Sequence, residues 1–206
     1  MTFMITREDI GTLFENELGM ITDEHLKEKV IEAWFLGCKR GNWNSIGELE
    51  QMPFTLLTET HGVNFIEHTK AVTWGAYQLA LAQVGMYRRL PYAINFDRLM
   101  VGGLLHDVGK LMEIEYDPTH TDEVSTGDEG TRGHRKSHAG RCARHPISGA
   151  ILAAEVGLDQ ETVNTIACHA KEGDGRPQVI ETVFIHQADF ATFNPLVMKK
   201  NGNLIE

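Results

Sequence analysis

The chain has 206 residues, 42% of them hydrophobic and 23% charged, with a formal net charge of −10. That length supports one sizeable core, or a core with an extension, and the composition excludes a largely disordered chain. The acidic balance disfavours a nucleic-acid polymer or an anionic membrane surface as partner.

Residues 1–50 read as an N-terminal helical extension and residues 51–206 as the main domain. Glu15 to Met20 and Asp23 to Gly37 carry apolar residues at helical spacing, with Leu26, Val30, Ala33 and Trp34 on one stripe. Thr22 or Asp23 suits the N-cap and Gly37 the stop. The turn-rich GNWNSIGELEQMP separates this extension from the main domain.

A long helix is predicted from Asn64 to Val84, ending near Gly85, with Phe65, His68, Val72, Ala76 and Leu79 about one turn apart. Asp97 would cap a helix running through Leu99 to His106, which Gly109 allows to end. The stretch from Asp117 to Gly140 is almost devoid of apolar residues and reads as a polar loop or lid. Its second half is basic, with Arg132, Arg135 and Lys136 among His134 and His138, followed by Arg141 and Arg144. Pro146 suits the first turn of a helix presenting Ile147, Ala150, Ile151 and Ala154, with Gly157 beyond its end. Asp159 would cap the next, bearing Val163, Ile166, Ala167 and Ala170; a last helix after Pro177 turns Val179, Val183 and Phe190 to the core. Strand alternation is nowhere convincing. The expected fold class is all-α.

Cys38, Cys142 and Cys168 fall at unrelated spacings that make neither a disulfide framework nor a zinc motif, which suits a reducing, cytoplasmic setting. MTFMITREDI lacks an apolar signal core, and no apolar run approaches the roughly 20 residues of a membrane helix.

The chemistry concentrates in LLHDVGK, Leu104 to Lys110. An adjacent His106 and Asp107 at the end of an apolar helix say little alone. Yet His68, His145, His169 and Asp189 sit on or beside other predicted apolar helices. One imidazole on an apolar face is usually a hydrogen-bonded core residue. Several such faces in one bundle are hard to satisfy without a cation where they meet. Four imidazoles and two carboxylates suit Mn, Fe, Co, Ni or Zn rather than calcium. Six side chains exceed the needs of one catalytic ion and fit two divalent ions with Asp107 between them.

This ordered set resembles the HD superfamily of metal-dependent phosphohydrolases. HTKAVTWGAYQLALAQVG is similar to its first ligand helix, LLHDVGK to its central motif, HPISGAIL to its third element, and ADF supplies the last aspartate. HAKEGDGRP resembles the HHExWDGxGYP stretch of the HD-GYP branch. It departs at Ala170 and Lys171 and lacks the GYP tripeptide, which argues against cyclic-dinucleotide activity and a third metal. The resemblance implies a helical bundle forming an HD metal-binding catalytic domain. His68, His106, Asp107 and Asp189 would hold one metal, and Asp107, His145 and His169 the other. Lys110 would face a substrate phosphate or carboxylate; its plainer reading is a cation at a helix C-terminus.

Weaker candidates surround this set. His134, His138, Arg135, Lys136 and Arg144 would grip an anion from the lid, or form a solvated charged loop. His186 would orient a ligand or be an ordinary partly buried histidine. Asp174 matches the aspartate of the WDG motif or shapes a turn with Gly173 and Gly175. Cys168 reads as packing, Trp34 and Trp43 as core or interface, and His25, His61 and His120 have no supporting pattern.

The expected activity is hydrolysis of a phosphomonoester or phosphodiester, nucleotide-like or another small phosphorylated metabolite. A mixed-valent di-iron oxygenase acting on a polyol or hydroxyphosphonate uses the same ligand pattern, and a non-catalytic signalling module would be marked by missing ligands. A homodimer is compatible with this reading.

Overall fold

A computed structural model describes residues 4–120, 130–131 and 133–205. Its helices in chain order are α1 (Arg7–Leu13), α2 (Glu15–Leu18), α3 (Glu24–Gly41), α4 (Ile46–Leu49), α5 (Phe65–Met86), α6 (Phe96–Leu105) and α7 (Lys110–Glu113). Three short strands come next: β1 (Ile114–Tyr116), β2 (Gly130–Thr131) and β3 (His134–Lys136). The chain ends in α8 (His138–Cys142), α9 (His145–Glu155), α10 (Gln160–Cys168), a 3-10 turn (Lys171–Gly173) and α11 (Ile180–Lys200). The architecture is an all-α bundle with one small sheet. No helix among the described residues is long and apolar enough to cross a membrane.

α6 is the axis. Every residue from Leu99 to Leu105 is buried, because α3, α5, α10 and α11 all pack against it. Its two glycines permit that crowding. A Cβ on Gly103 would lie 2.9 Å from Thr73 Cα on α5, and one on Gly102 would lie 2.6 Å from Thr165 Cγ2 on α10. α5 starts with a capping box in which Asn64 and Glu67 each accept from the other's backbone N–H. Its buried stripe of Phe65, His68, Thr69, Val72, Thr73, Ala76 and Ala80 carries His68 inward with the apolar residues.

The first 50 residues share the bundle's core. Trp34 and Trp43 are buried, and their indole N–H groups donate to Leu104 O (3.0 Å) and Leu111 O (2.8 Å), on either side of the HD dipeptide. Gly37 does not stop α3. It lies inside the helix, where a Cβ would come within 2.8 Å of Leu111 Cδ1; the helix ends at Gly41, with Asn42 in the left-handed conformation as its cap. Asp23 is the N-cap. Thr22 instead donates its N–H and hydroxyl to Asp97.

Asp97 is therefore not the cap of α6. Asn95 takes that place, accepting from Arg98 N, while Asp97 ties α6 to the start of α3. Two expected apolar stripes are also turned, on α9 and α11, while α5 buries Phe65, His68, Val72 and Ala76 as expected and leaves Leu79 of that stripe exposed. Val183, Ile147, Ile151 and Ala154 are exposed, and α9 buries Gly149, Leu152 and Ala153 beside the expected Ala150. Small residues on that face let α9 lie close to its neighbours. On α11 the buried side is Thr182, Phe184, Ile185 and Ala188.

Part of the stretch read as a polar loop is regular structure. β3 lies between β1 and β2, antiparallel to both, pairing Ile114 with Lys136 and Tyr116 with His134. Ser137 then caps α8, accepting from Gly140 N and donating to Met112 O at 2.6 Å, which fastens the sheet's end to α7. Residues 121–129 and Arg132 of that stretch lie outside the described residues.

Candidate metal centre

Five elements converge on the carboxylate of Asp107, in the turn after α6. His68 arrives from α5, His106 from the end of α6, His145 from the first residue of α9, His169 from the end of α10, and Asp189 from α11. All but Asp189 are buried. Asp107 Oδ2 lies 3.4 Å from both His68 Nε2 and His106 Nε2, and Asp189 Oδ1 lies 3.2 Å from His68 Nε2. Asp107 Oδ1 lies 3.1 Å from His145 Nε2 and 3.5 Å from His169 Nε2. The set divides into two groups that share Asp107, one with His68, His106 and Asp189, the other with His145 and His169; in each, ligand atoms fall within 4.8 Å of one another.

The far side of each ring explains why these nitrogens face the centre. His106 Nδ1 lies 2.6 Å from Gly103 O and His169 Nδ1 lies 2.8 Å from Ile166 O, acceptors that require an N–H at Nδ1. His145 Nδ1 meets the Glu113 carboxylate at 2.9 Å. Thr192 spends its hydroxyl proton on Asp189 O, so it can only accept from His68 Nδ1, 3.4 Å away. Four Nδ1–H tautomers leave four Nε2 lone pairs aimed at carboxylate oxygens. Lone pairs repel unless a cation or a proton stands between them.

The unsatisfied atoms are the ones such an ion would meet. His68 Nε2, His106 Nε2, His169 Nε2 and Asp107 Oδ1 are buried without a hydrogen-bond partner among the described residues. Buried polar atoms are expensive to leave unmatched, and neutral imidazole with carboxylate is a transition-metal donor set. The residues fit one or more divalent ions.

Charge at the site is finely set. Burial pushes the Asp107 carboxyl up, but Lys110 and the surrounding imidazoles outweigh it and hold it well below the usual range. Burial likewise opposes ionisation of Asp189, yet the adjacent His68 brings it down to about 2. Desolvation lowers His145 despite its two carboxylate neighbours, favouring the neutral, metal-binding form.

Lys110 Nζ lies 2.5 Å from Asp107 Oδ2. It opens α7 rather than closing α6, so it does not counter a helix C-terminus; its partner is the aspartate three residues back. Gly109 has an ordinary right-handed helical φ, and its need is space. A Cβ there would lie 2.1 Å from His145 O and 2.7 Å from Gly149 N, so the HD turn touches the start of α9 backbone to backbone.

A cavity of about 300 Å³ opens beside this centre, reached by His145, Asp189, Lys110, Lys136, Arg144 and Lys171 and lined also by Phe54, Leu56, Leu57, Phe190 and Phe193. Lys136 and Arg144 therefore stand where an anion would enter, paired with Glu113 (3.6 Å) and Glu172 (2.6 Å). Arg135 does not line it. Alternation along β3 turns it outward to Glu115 and Asp117, while His134 is buried against Trp43. His138 lies near Cys142 on α8, 3.8 Å from its sulfur. His186 donates from Nδ1 to His169 O at 2.7 Å, bracing the backbone of that residue. Asp174 is exposed in the turn after the 3-10 element, and Cys168 is partly buried near Asn164.

Sequence reasoning missed Glu113. Its carboxylate accepts from both the backbone N–H and Nδ1 of His145, 32 positions away, and it is held below the usual carboxylate range by those contacts despite burial. The available signal was an acid between the apolar residues of LMEI, Leu111 to Ile114.

No curated protein and no solved structure matches the chain. A family model described as HD domain matches residues 65–190, a span of more than half the chain that contains all six side chains at the centre. The chain belongs to the HD-domain family, within a superfamily of metal-dependent hydrolases.

Proposed function

We propose that this protein is a phosphohydrolase that cleaves a phosphomonoester or phosphodiester of a small metabolite at a dinuclear metal centre. The observation that carries the proposal is the ring of four inward Nε2 atoms and two carboxylates beside a cavity lined by Lys110, Lys136, Arg144 and Lys171. His68, His106, Asp107 and Asp189 would hold one ion, and Asp107, His145 and His169 the other. Bound there, divalent transition ions polarise a phosphoryl oxygen and lower the pKa of water.

The chain's own residues do the rest. Lys110 holds the phosphoryl group toward the centre, and Arg144 offers a guanidinium fork that matches phosphate geometry. Lys110 and the imidazoles favour the anionic form of Asp107, the form that binds a cation. Phe54 stacks on His68 with ring centroids 4.1 Å apart and closes that side of the centre to water. Glu113 keeps His145 in one tautomer and one orientation.

The test is turnover of nucleotide and aryl phosphates by purified protein loaded with Mn, Co, Ni, Fe or Zn. Metal-dependent release of phosphate, abolished by Asp107→Ala, is expected. Iron as isolated, with oxygen consumed on a polyol or hydroxyphosphonate and no phosphate released, would move the protein to the di-iron oxygenases.

A further inference from the structure

The cavity beside the metal centre has two unlike sets of lining residues, and they restrict the substrate beyond "a phosphate". Lys110, Lys136, Arg144 and Lys171 come from α7, β3, the cap of α9 and the 3-10 turn, and all four line the cavity together with His145. The apolar part of the lining comes from the segment 54–57 and from α11: Phe54, Leu56, Leu57, Phe190 and Phe193. Thr55 brings a side-chain hydroxyl to this part of the lining, and it already accepts from Leu57 N at 3.2 Å. Lys200 Nζ lies 3.3 Å from Leu57 O and ties the segment to the end of α11, so the apolar lining is held as a unit. Leu57 is 55% exposed, so it can be substituted without disturbing the core.

We propose that the body of the substrate is apolar: the site takes a small aryl or alkyl phosphate, with its anionic head on the cationic residues and its organic group on Phe190, Phe193 and Leu57. The inference rests on the phosphohydrolase reading for its reaction but on the cavity alone for its binding. Hydroxyls of a sugar or polyol set against Phe190, Phe193 and Leu57 would meet side chains that offer no hydrogen bond, which is costly. An aryl ring would stack on Phe190 or Phe193 and remove apolar surface from water on both sides. Size agrees. About 300 Å³ is at the lower end of small-molecule sites, roughly 300–1,000 Å³, and suits one phosphoryl group with a ring-sized body rather than a dinucleotide.

The experiment compares two inert anions, phenylphosphonate and methylphosphonate, by calorimetry on the metal-loaded protein, with kcat/KM for phenyl phosphate and glycerol phosphate beside it. Phenylphosphonate should bind tighter by roughly tenfold or more, as burial of one ring implies. Phe193→Ala should bring that ratio toward one, and so should Leu57→Ser at an exposed position, where the fold is not at risk, while methylphosphonate affinity stays the same. Equal affinity for the two anions, or a higher kcat/KM for glycerol phosphate, overturns the apolar-body assignment. Absence of turnover with the phenyl preference intact would contradict hydrolysis and uphold the pocket.

Discussion

Glu113 receives both the backbone N–H and the Nδ1–H of His145 on one carboxylate oxygen, fixing a residue that is at once the first of α9 and a member of the candidate metal centre. The same carboxylate lies 3.6 Å from Lys136 on the cavity wall, so one acid joins the metal side to the anion-binding side. Removing it frees the imidazole to rotate and to change tautomer. Glu113→Ala should weaken metal binding at the His145 group by about 10–100-fold, with the His68 group unaffected. Competitive metal titration resolves the two; equal loss at both would contradict the assignment.

Lys110 should matter for substrate and little for metal. Lys110→Met removes one charge aimed at the phosphoryl group and should lower kcat by about 10²–10³ while leaving metal stoichiometry unchanged. Metal analysis of the variant beside its kinetics separates this from a structural role. Loss of the ions themselves would show that the ammonium acts only by holding Asp107.

The HD turn tolerates no side chain at Gly109. A methyl there meets the backbone of α9 on two sides, atoms that cannot rotate away. Gly109→Ala should cost about 3 kcal/mol and lower the Tm of a chain this size by about 6–12 °C. Thermal melting of the metal-free protein checks it; a shift of a degree or less would show that α9 is free to move off the turn.

Acid should unfold the metal-free protein through its central carboxylates. Asp189 titrates near 2 in the fold against 3.8 for the free side chain. A depressed acid stabilises above its unfolded pKa, and that stability is lost as pH falls from about 4 toward 2. The contribution is about 2 kcal/mol at neutral pH. Asp107 and Glu113 shift in the same direction. Urea denaturation between neutral and acid pH should show stability falling in that window, with a shallower fall in Asp189→Asn. An unchanged slope in the variant would contradict the reading.

The candidate metal ligands were legible because several are polar residues on faces that the sequence makes apolar, as His68 is between Phe65 and Val72. Glu113 was not, since its partner lies 32 positions away and local spacing carries no trace of the pair. Helix existence followed from periodicity, yet periodicity could not say which flank of a helix has neighbours. α9 offers isoleucines on one flank and glycine and alanine on the other, and close packing selects the small flank. Asp97 resembles a cap in sequence, but Asn95 reaches the free N–H groups of α6, and Asp97 serves α3 instead. β1 and β3 are three residues each, too short for alternation to register.

Two cations sharing Asp107 are the premise of the proposed chemistry. Diffraction from metal-loaded crystals, with data on either side of the metal's absorption edge, reads this directly. Two anomalous peaks are expected per chain, one among His68, His106 and Asp189 and one beside His145 and His169, with Asp107 in reach of both. A metal-replete crystal with no peak at Asp107, its imidazoles engaged only by carbonyls and water, would contradict it.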